Sequence, residues 1–448
     1  MVYSSTVNTT RDVLKYIGQY QGHLFVIRID DQLLKTPLFS MFIKDVVLLH
    51  RLGIQIVLVP SARLSIDSFI NAKQNANNNS SFVTISTPYG LTNRRITSEC
   101  SLDSIIQGTT SVLNKLLSLL TENGAQGVVG NWVRARTLGV INGTDFQRTG
   151  SVERIDSNLI SSLLKTDTIP IVSNLGWNSI GQLYNISSIE LAVAVAISLK
   201  ATKLLFVETK SGIQKTPTIN AKIPTRETGI YSSIDLRHAK QLLNNSKETL
   251  TSDEHALISS AINACSAGVE RVHIINGNRD GILIDEVFSA DGVGTMFYTD
   301  QYIEINKSTS PDIAEIMRLI QPQIDLNLLI PQTSLQVAEN LEKFYVYKID
   351  ETVQGCAALN QLNKDYAEIE SLVVSESHRG HGHGARLVNH LKKESLKLRV
   401  KRLLVMTTQS VDFFLELGFS QISLDEIPPE RPRDYDQTRN SRILMLEI

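Results

Sequence analysis

Cysteine is scarce in this chain, with three residues in 448: Cys100, Cys265 and Cys356. They lack the paired spacing that holds zinc, and an odd number cannot all pair with one another. The pattern therefore excludes a disulfide framework and fits a reducing compartment. Long apolar runs are missing as well. None approaches the roughly 18 residues of a membrane span, and the opening MVYSSTVNTTRDVLKYIGQY lacks the basic-then-apolar order of a secretion signal. A soluble, cytoplasmic protein is expected. Nor is there an excess of either charge, because 44 Lys and Arg face 46 Asp and Glu for a formal net charge of -2. That removes the electrostatic case for nucleic acid or an anionic membrane as partner.

What is present is an ordinary globular composition spread over a length too great for one core, so two domains are predicted. The first 297 residues alternate buried-strand runs with helical stretches, the pattern of a mostly parallel sheet covered on both faces. HLFVIRI (23–29), IQIVLVP (54–60), IPIVSNLGW (169–177), KLLFVET (203–209) and VERVHIING (269–277) read as strands. LFSMFIKDVVLLHRLG (38–53), SIELAVAVAISLKA (188–201) and HALISSAINACSAG (255–268) read as helices, the first and last stopped by Gly53 and Gly268. The asparagine-rich stretch 71–81 reads as a solvated loop. From residue 298 to 448 the texture changes to an α+β unit. It has two short helices, a hairpin turning at Asp350 and Glu351, the strand AEIESLVV, a glycine-rich loop, the helix ARLVNHLKKESLKL, the strand KRLLVMTT, the short helix SVDFFLELGF and the final strand RILMLEI.

The glycine-rich loop SESHRGHGHGA admits two readings. His378, His381 and His383 could be metal ligands, while Gly380, Gly382 and Gly384 could present backbone N–H groups to a phosphate. A metal needs rigidly held ligands with oriented rings, which intervening glycines do not supply. A strand, a glycine loop and a helix N-terminus in succession do form an anion site, because unpaired N–H groups and the helix dipole point into it. Arg379 adds a cation there. No metal is expected, and the histidines are expected to be exposed loop residues.

Arg379-x-x-Gly382-x-Gly384 after LVV resembles the pyrophosphate loop of GNAT-type acyltransferases, and the front of the chain resembles the amino-acid kinase fold. That order of domains, with LLHRLGIQIVLV, ACSAGVERVHIINGNRDGILIDEVFSADGVGTM, RLLVMTT and YDQTRNSRILM, resembles the N-acetylglutamate synthase family over nearly the whole chain. The resemblance implies an N-terminal amino-acid kinase-like three-layer α/β domain (1–297) that binds arginine, and a C-terminal GNAT-type α+β domain (298–448). It implies transfer of acetyl from acetyl-CoA to L-glutamate as the first step of arginine biosynthesis, with feedback inhibition by arginine, in a homo-oligomer. Leu372, Val373 and Val374 would pair with the pantetheine arm, and Arg379, Gly380, Gly382 and Gly384 would hold the pyrophosphate.

Acetyl transfer to an amine needs a base for the arriving ammonium, and a carboxylate beside the acyl site suits that task. Glu368 matches the family's glutamate, and Glu370, two residues on, shares its strand face. The choice between them stays open. Many GNAT domains protonate the leaving thiolate with a tyrosine on the helix after the fifth strand, where this chain has Phe413 and Phe414. Ser410 is the nearest hydroxyl to what the resemblance implies, although a serine there is also a good helix N-cap. Arg439 and Ser441 match the family's contacts to the substrate carboxylate. Gln332 stands where the family carries a second arginine, and a neutral amide supplies no charge. Glutamate therefore binds weakly, or Arg442 or another cation substitutes, or the acceptor is a different amine.

A phosphotransferase is the rival for the first domain. Such kinases place glycine turns after the first two strands to cradle phosphate, whereas this chain has Arg28-Ile29-Asp30-Asp31 and Pro60-Ser61-Ala62. Carboxylates repel phosphate and Pro60 has no N–H to give, so binding is the task left to that domain. In the family the arginine effector sits near a histidine, a glutamate in the following strand and a glycine turn, which match His273, Glu286, Gly292 and Gly294. A guanidinium needs a carboxylate and carbonyls of this kind. A turn-capping Glu286 and a strand histidine satisfied by its neighbours are the alternative.

Overall fold

The computed structural model describes residues 20–73, 82–87, 90–215, 223, 225–226, 228–245, 249–288, 292–299, 304–349, 352–376, 379, 383–431 and 441–448. The chain divides into two compact units, Met1–Asp300 and Gln301–Ile448.

In the first unit the apolar run read as the opening strand forms β1 (Leu24–Ile29), and all of its positions are buried, including Arg28. Helix α1 (Phe39–Arg51) follows, then β2 (Gln55–Pro60), α2 (Arg63–Lys73), α3 (Leu102–Glu122), β3 (Gln126–Val129) and β4 (Thr168–Ile171). Next come α4 (Ser188–Ser198), β5 (Lys203–Glu208), β6 (Ser233–Asp235), α5 (Ser252–Ser266), β7 (Arg271–Asn276), α6 (Ile282–Phe288) and β8 (Thr295–Tyr298). The strands form one sheet in the order β6-β8-β7-β5-β1-β2-β4-β3, parallel except where β7 runs against β8. Because successive side chains point to opposite faces, Val26 and Leu204 enter a core with α4 and α5, while Phe25, Ile27 and Leu205 enter another with α1, α2, α3 and α6. The result is the three-layer architecture expected from the sequence.

Local signals fix several ends. Thr251 caps α5 through its Oγ1, which accepts from the Glu254 N–H, while the Glu254 carboxylate accepts from the Thr251 N–H. That reciprocal box is worth about 1 kcal/mol. Three readings are corrected. The run 169–177 is not one strand, since it leaves the main sheet after Ile171 and its end, Leu175–Trp177, joins a separate four-stranded sheet with Val133–Thr137, Gly150–Ile155 and Leu183–Asn185. Residues 71–73 finish α2, and 74–81 lie outside the described residues. Glu286 lies in helix α6 and not in a strand. The long helix α3 had no place in the sequence reading; its amphipathic stripe, Ile105, Val112, Leu116 and Leu120, lines the second core.

The second unit contains β9 (Glu304–Lys307), α7 (Ile313–Asp325), α8 (Ser334–Glu339), β10 (Phe344–Ile349), β11 (Thr352–Gln361) and β12 (Tyr366–Val374). It continues through α9 (His383–Lys397), β13 (Arg402–Thr407), α10 (Val411–Glu416), β14 (Ser420–Gln421) and β15 (Arg442–Glu447). Its sheet runs β9-β10-β11-β12-β13-β15-β14, antiparallel except for the parallel pair β12 and β13. Val388 and Leu391 of α9 pack with Phe414 on one face, and Ile316 and Ile320 of α7 pack with Val346 on the other. The expected hairpin is present, with its turn at residues 350–351 outside the described set.

Candidate active and effector sites

The candidate acyl site is built on a defect in β12. Its register with β11 runs Gly355↔Val374 and Cys356↔Val373, then shifts to Ala358↔Glu370, so Ser371 and Leu372 share one opposing residue. Ser371 has a φ of 51°, unusual for a residue with a side chain. The bulge inverts the strand's facing: Ile369 packs in the core under α9, yet Val373, four residues on, packs in the opposite core under α7. Pairing with β13 also ends early. It runs from Tyr366↔Arg402 to Ile369↔Val405 and goes no further, while β12 continues to Val374. Among the described residues no strand pairs with Glu370 to Val374 on the β13 side, an edge along which an extended, amide-bearing ligand can pair.

Beyond Val374, Arg379 donates from its Nε to the Val374 carbonyl at 3.3 Å. Gly384 stands in the first turn of α9, where a Cβ would come within 3.2 Å of Cζ of Phe413 on α10. Gly380, Gly382, His378 and His381 lie outside the described residues. His383 corrects the sequence reading: it is a buried helical residue whose Nδ1 lies 2.6 Å from the Tyr347 phenol oxygen. Among the described residues no three His, Cys, Asp or Glu gather as metal ligands.

Glu368 is buried, and both its oxygens are taken by one guanidinium: Arg431 donates from Nε at 2.6 Å and Nη2 at 2.9 Å. Burial opposes the charge on Arg431, yet the Glu368 carboxylate outweighs it and raises the guanidinium's pKa. Glu370 is on the same face and accepts from Nδ2 of Asn360 at 3.0 Å. Burial, reinforced by the negative charge of Glu368, raises the pKa of Glu370 above the ordinary glutamate value. Arg431 was missed by sequence reasoning; it is 63 residues from its partner, in a segment with no periodicity to place it.

Gln332 donates from its Nε2 to Ser371 Oγ at 3.2 Å, which brings it to the bulge. Ser410 flanks α10 with an exposed side chain that makes no cap hydrogen bond, while its own N–H donates to Thr407 Oγ1 at 3.0 Å. The helix-cap alternative for this serine is therefore not used. Ser441 is half-buried just before β15, and Arg439 lies outside the described residues.

In the first unit the place of a phosphate nest is already filled. The Asp31 carboxylate accepts from the N–H groups of Leu64 and Ser65 at 2.7 and 3.1 Å, at the N-terminus of α2, and from Ser61 Oγ at 3.3 Å. Arg28 is held by Glu208 and, at 3.3 Å, by Asp30. An internal anion at the helix N-terminus competes directly with any phosphate.

His273 on β7 and Glu286 on α6 meet in a buried pair, Nδ1 to Oε1, at 2.6 Å. The other oxygen of Glu286 accepts from the N–H groups of Val293 and Gly294 at 2.6 and 2.8 Å. Burial would raise the pKa of Glu286, but the hydrogen bond and charge of His273 with these two N–H groups bring it down to about 2. Both glycines are needed for this approach. A Cβ on Gly292, whose φ is +56°, would lie 2.8 Å from the Glu286 oxygen, and one on Gly294 would lie 2.3 Å from the Ile274 carbonyl. The carboxylate thus organises the turn, as the alternative reading had it. One atom of the pair stays unsatisfied: His273 Nε2 is buried and has no partner among the described residues. Lys203, also buried, feels the charges of Arg271, Glu286 and Glu270, and burial first, then Arg271, lowers its pKa to about 7. A lysine opening a strand carried no signal in the sequence.

An amino-acid-kinase-like unit whose phosphate nest is plugged, joined to a unit whose central strand bulges and splays ahead of a glycine loop and helix, defines a two-part acyltransferase. Residues 24–276 match the amino acid kinase family and residues 312–419 the acetyltransferase (GNAT) family. The amino-acid acetyltransferase of Vibrio atlanticus is 30% identical over 99% of both chains. That of Neisseria meningitidis serogroup A is 30% identical over 98% of this chain and 97% of its own. The crystal structure of N-acetylglutamate synthase from Neisseria gonorrhoeae complexed with coenzyme A and L-arginine is similar over 99% of both chains, with 30% identity and a TM-score of 0.79. The same protein complexed with coenzyme A and N-acetyl-glutamate matches with a TM-score of 0.61, covering 98% of this chain and 99% of its own. The chain belongs to the amino-acid acetyltransferase family. Among the described residues no helix is long and apolar enough to cross a membrane.

Proposed function

We propose that this protein transfers the acetyl group of acetyl-CoA to the α-amino group of L-glutamate, with residues 298–448 carrying the chemistry and residues 1–297 binding L-arginine as inhibitor. The observation that carries the acyl-CoA half is the bulged, one-sided end of β12, which offers backbone groups from Glu370 to Val374 just before the glycine loop. In this reading Leu372, Val373 and Val374 pair with the pantetheine amides, and Arg379 with the backbone of Gly380, Gly382 and Gly384 meets the pyrophosphate. The acceptor amine gives a proton to a carboxylate of the Glu368 and Glu370 pair, then attacks the thioester carbonyl. The C–S bond breaks as the tetrahedral intermediate collapses, and the thiolate leaves with a proton, Ser410 being the hydroxyl assigned to it.

Arg439 and Ser441 are assigned to the acceptor's carboxylate. Gln332 brings no charge to the bulge, and Arg431, half-buried beside the two glutamates, is a cation on the same strand face that an acceptor carboxylate can draw on. For arginine, the unsatisfied His273 Nε2 supports a ligand at that place. With Nδ1–H donated to Glu286, Nε2 is an acceptor for a guanidinium or ammonium N–H, while Lys203 suits an α-carboxylate.

The test is release of free thiol from acetyl-CoA in the presence of each of the twenty amino acids in turn. Glutamate alone should release it. Gln332 favours the second reading, a different amine acceptor, and that reading wins if another amino acid releases thiol and glutamate does not.

A further inference from the structure

We propose that Tyr347 and His383 form a clamp that fixes the first turn of α9 beneath the acetyl-CoA pyrophosphate, which makes both of them positioning residues for the co-substrate. The inference rests on the acyl-CoA reading of the second unit. Its starting point is a histidine in an unexpected setting. In SESHRGHGHGA, His383 is flanked by glycines, the composition of an exposed loop, yet it is only 7% exposed and opens α9. Its Nδ1 lies 2.6 Å from the phenol oxygen of Tyr347, the ring centroids are 4.8 Å apart, and Tyr347 is fully buried.

The two residues meet because of the row they stand on. Tyr347 on β10 pairs with Gly355 on β11, and Gly355 pairs with Val374, the last residue of β12. A Cβ on Gly355 would stand 3.1 Å from the Val373 carbonyl and 3.2 Å from Cδ1 of Leu387 on α9. Glycine there lets α9 settle close to the sheet, within reach of a tyrosine one strand further out. Val374 and His383 are therefore tied to a single row: Val374 through its pairing with Gly355, and His383 through the phenol of Gly355's other neighbour. An anion interacts with a helix dipole and its unpaired N–H groups only at the first turn, so a helix start free to shift would weaken the pyrophosphate contact without touching the thioester. One phenol–imidazole hydrogen bond serves either tautomer, because the hydroxyl can donate to Nδ1 or accept from it.

The test uses three variants of the full chain. Tyr347→Phe removes one oxygen and keeps the ring; His383→Leu removes the imidazole; His383→Asn restores a polar group near the Nδ1 position. For Tyr347→Phe and His383→Leu, the KM for acetyl-CoA and the calorimetric Kd for coenzyme A should rise roughly tenfold, the scale of one buried hydrogen bond, while kcat at saturating acetyl-CoA changes less than about twofold. His383→Asn should recover most of the affinity. A Tyr347→Phe protein with a lower melting temperature but native KM and Kd would reduce the pair to packing and overturn the clamp. A native chain that does not bind coenzyme A would instead overturn the acyl-CoA reading beneath it, so the two failures are told apart by the native control.

Discussion

Glu368 and Glu370 are two positions apart on one strand face, close enough that Glu370 feels the charge of Glu368, and Arg431 feels the charge of both. The alternation was legible in the sequence, because a period of two puts both carboxylates on one side of any strand. Their difference was not, because it comes from Arg431 at the far end of the unit and from Asn360 on the neighbouring strand. Both oxygens of Glu368 are engaged by Arg431, whereas Glu370 accepts a hydrogen bond from Asn360 and has a proton affinity raised by burial and by the charge of Glu368. Glu368→Gln should lower kcat at neutral pH on the order of 10²-fold with little change in acetyl-CoA affinity if the family's glutamate is the base. Should Glu370→Gln carry that loss while Glu368→Gln is nearly silent, the base is Glu370. A pH profile gives the same answer independently. The rate rises as the base deprotonates, so with Glu370 in that role the acid limb of kcat/KM falls above the ordinary glutamate range, and it should vanish in Glu370→Gln.

At the scale of elements, long periodic segments were readable and short or distorted ones were not. The α1 stripe of Phe39, Phe42, Ile43, Val46 and Val47 and the fully buried β1 announced themselves because their packing repeats the period of the chain. The break after Ile171 into a second sheet, and Glu286 on a helix, depend on which neighbours the tertiary structure supplies, and apolar runs of a few residues look alike in either state. The bulge at Ser371 was equally hidden, since nothing in ESLVV distinguishes one residue in the left-handed region from a regular strand. The junction of β12 and α9 makes a prediction of its own. Gly384→Val adds a side chain where a Cβ alone reaches 3.2 Å from the Phe413 ring. The variant should therefore lose roughly 1–3 kcal/mol of stability from overpacking α9 against α10. It should also show a strongly raised KM for acetyl-CoA, because glycine allows the close backbone approach that pyrophosphate needs. Calorimetry with coenzyme A checks the second effect, and unchanged binding there would remove Gly384 from the pyrophosphate site.

For the whole molecule, the first unit keeps the kinase-type sheet while its chemistry is closed off by the chain itself. The missing glycines after β1 and β2 were visible in the sequence; that Asp31 turns back to occupy the N–H groups at the start of α2 was not, because the contact spans more than thirty residues and depends on the register of β1 against β2. Adding ATP and N-acetylglutamate should accordingly give no acyl phosphate, which hydroxylamine trapping would detect. What the unit retains is the buried set of His273, Glu286 and the Gly292–Gly294 turn, and a ligand there can bias acetyl transfer only by binding two states of the molecule unequally, typically by 1–3 kcal/mol. Glu286→Ala removes the carboxylate that orients His273 and gathers the Val293 and Gly294 N–H groups, so it dismantles the acceptor His273 Nε2 along with the turn. The ratio of acetyl-transfer rates with and without arginine should therefore fall to one in this variant, with circular dichroism confirming that it is folded. Linkage demands the converse in the native chain: if arginine inhibits by disfavouring substrate binding, a saturating substrate analogue must weaken arginine binding by the same factor by which arginine weakens the analogue's. Arginine that produces no heat and no change in rate with the native chain would leave this unit as a scaffold, and Glu286 as the organiser of one turn within it.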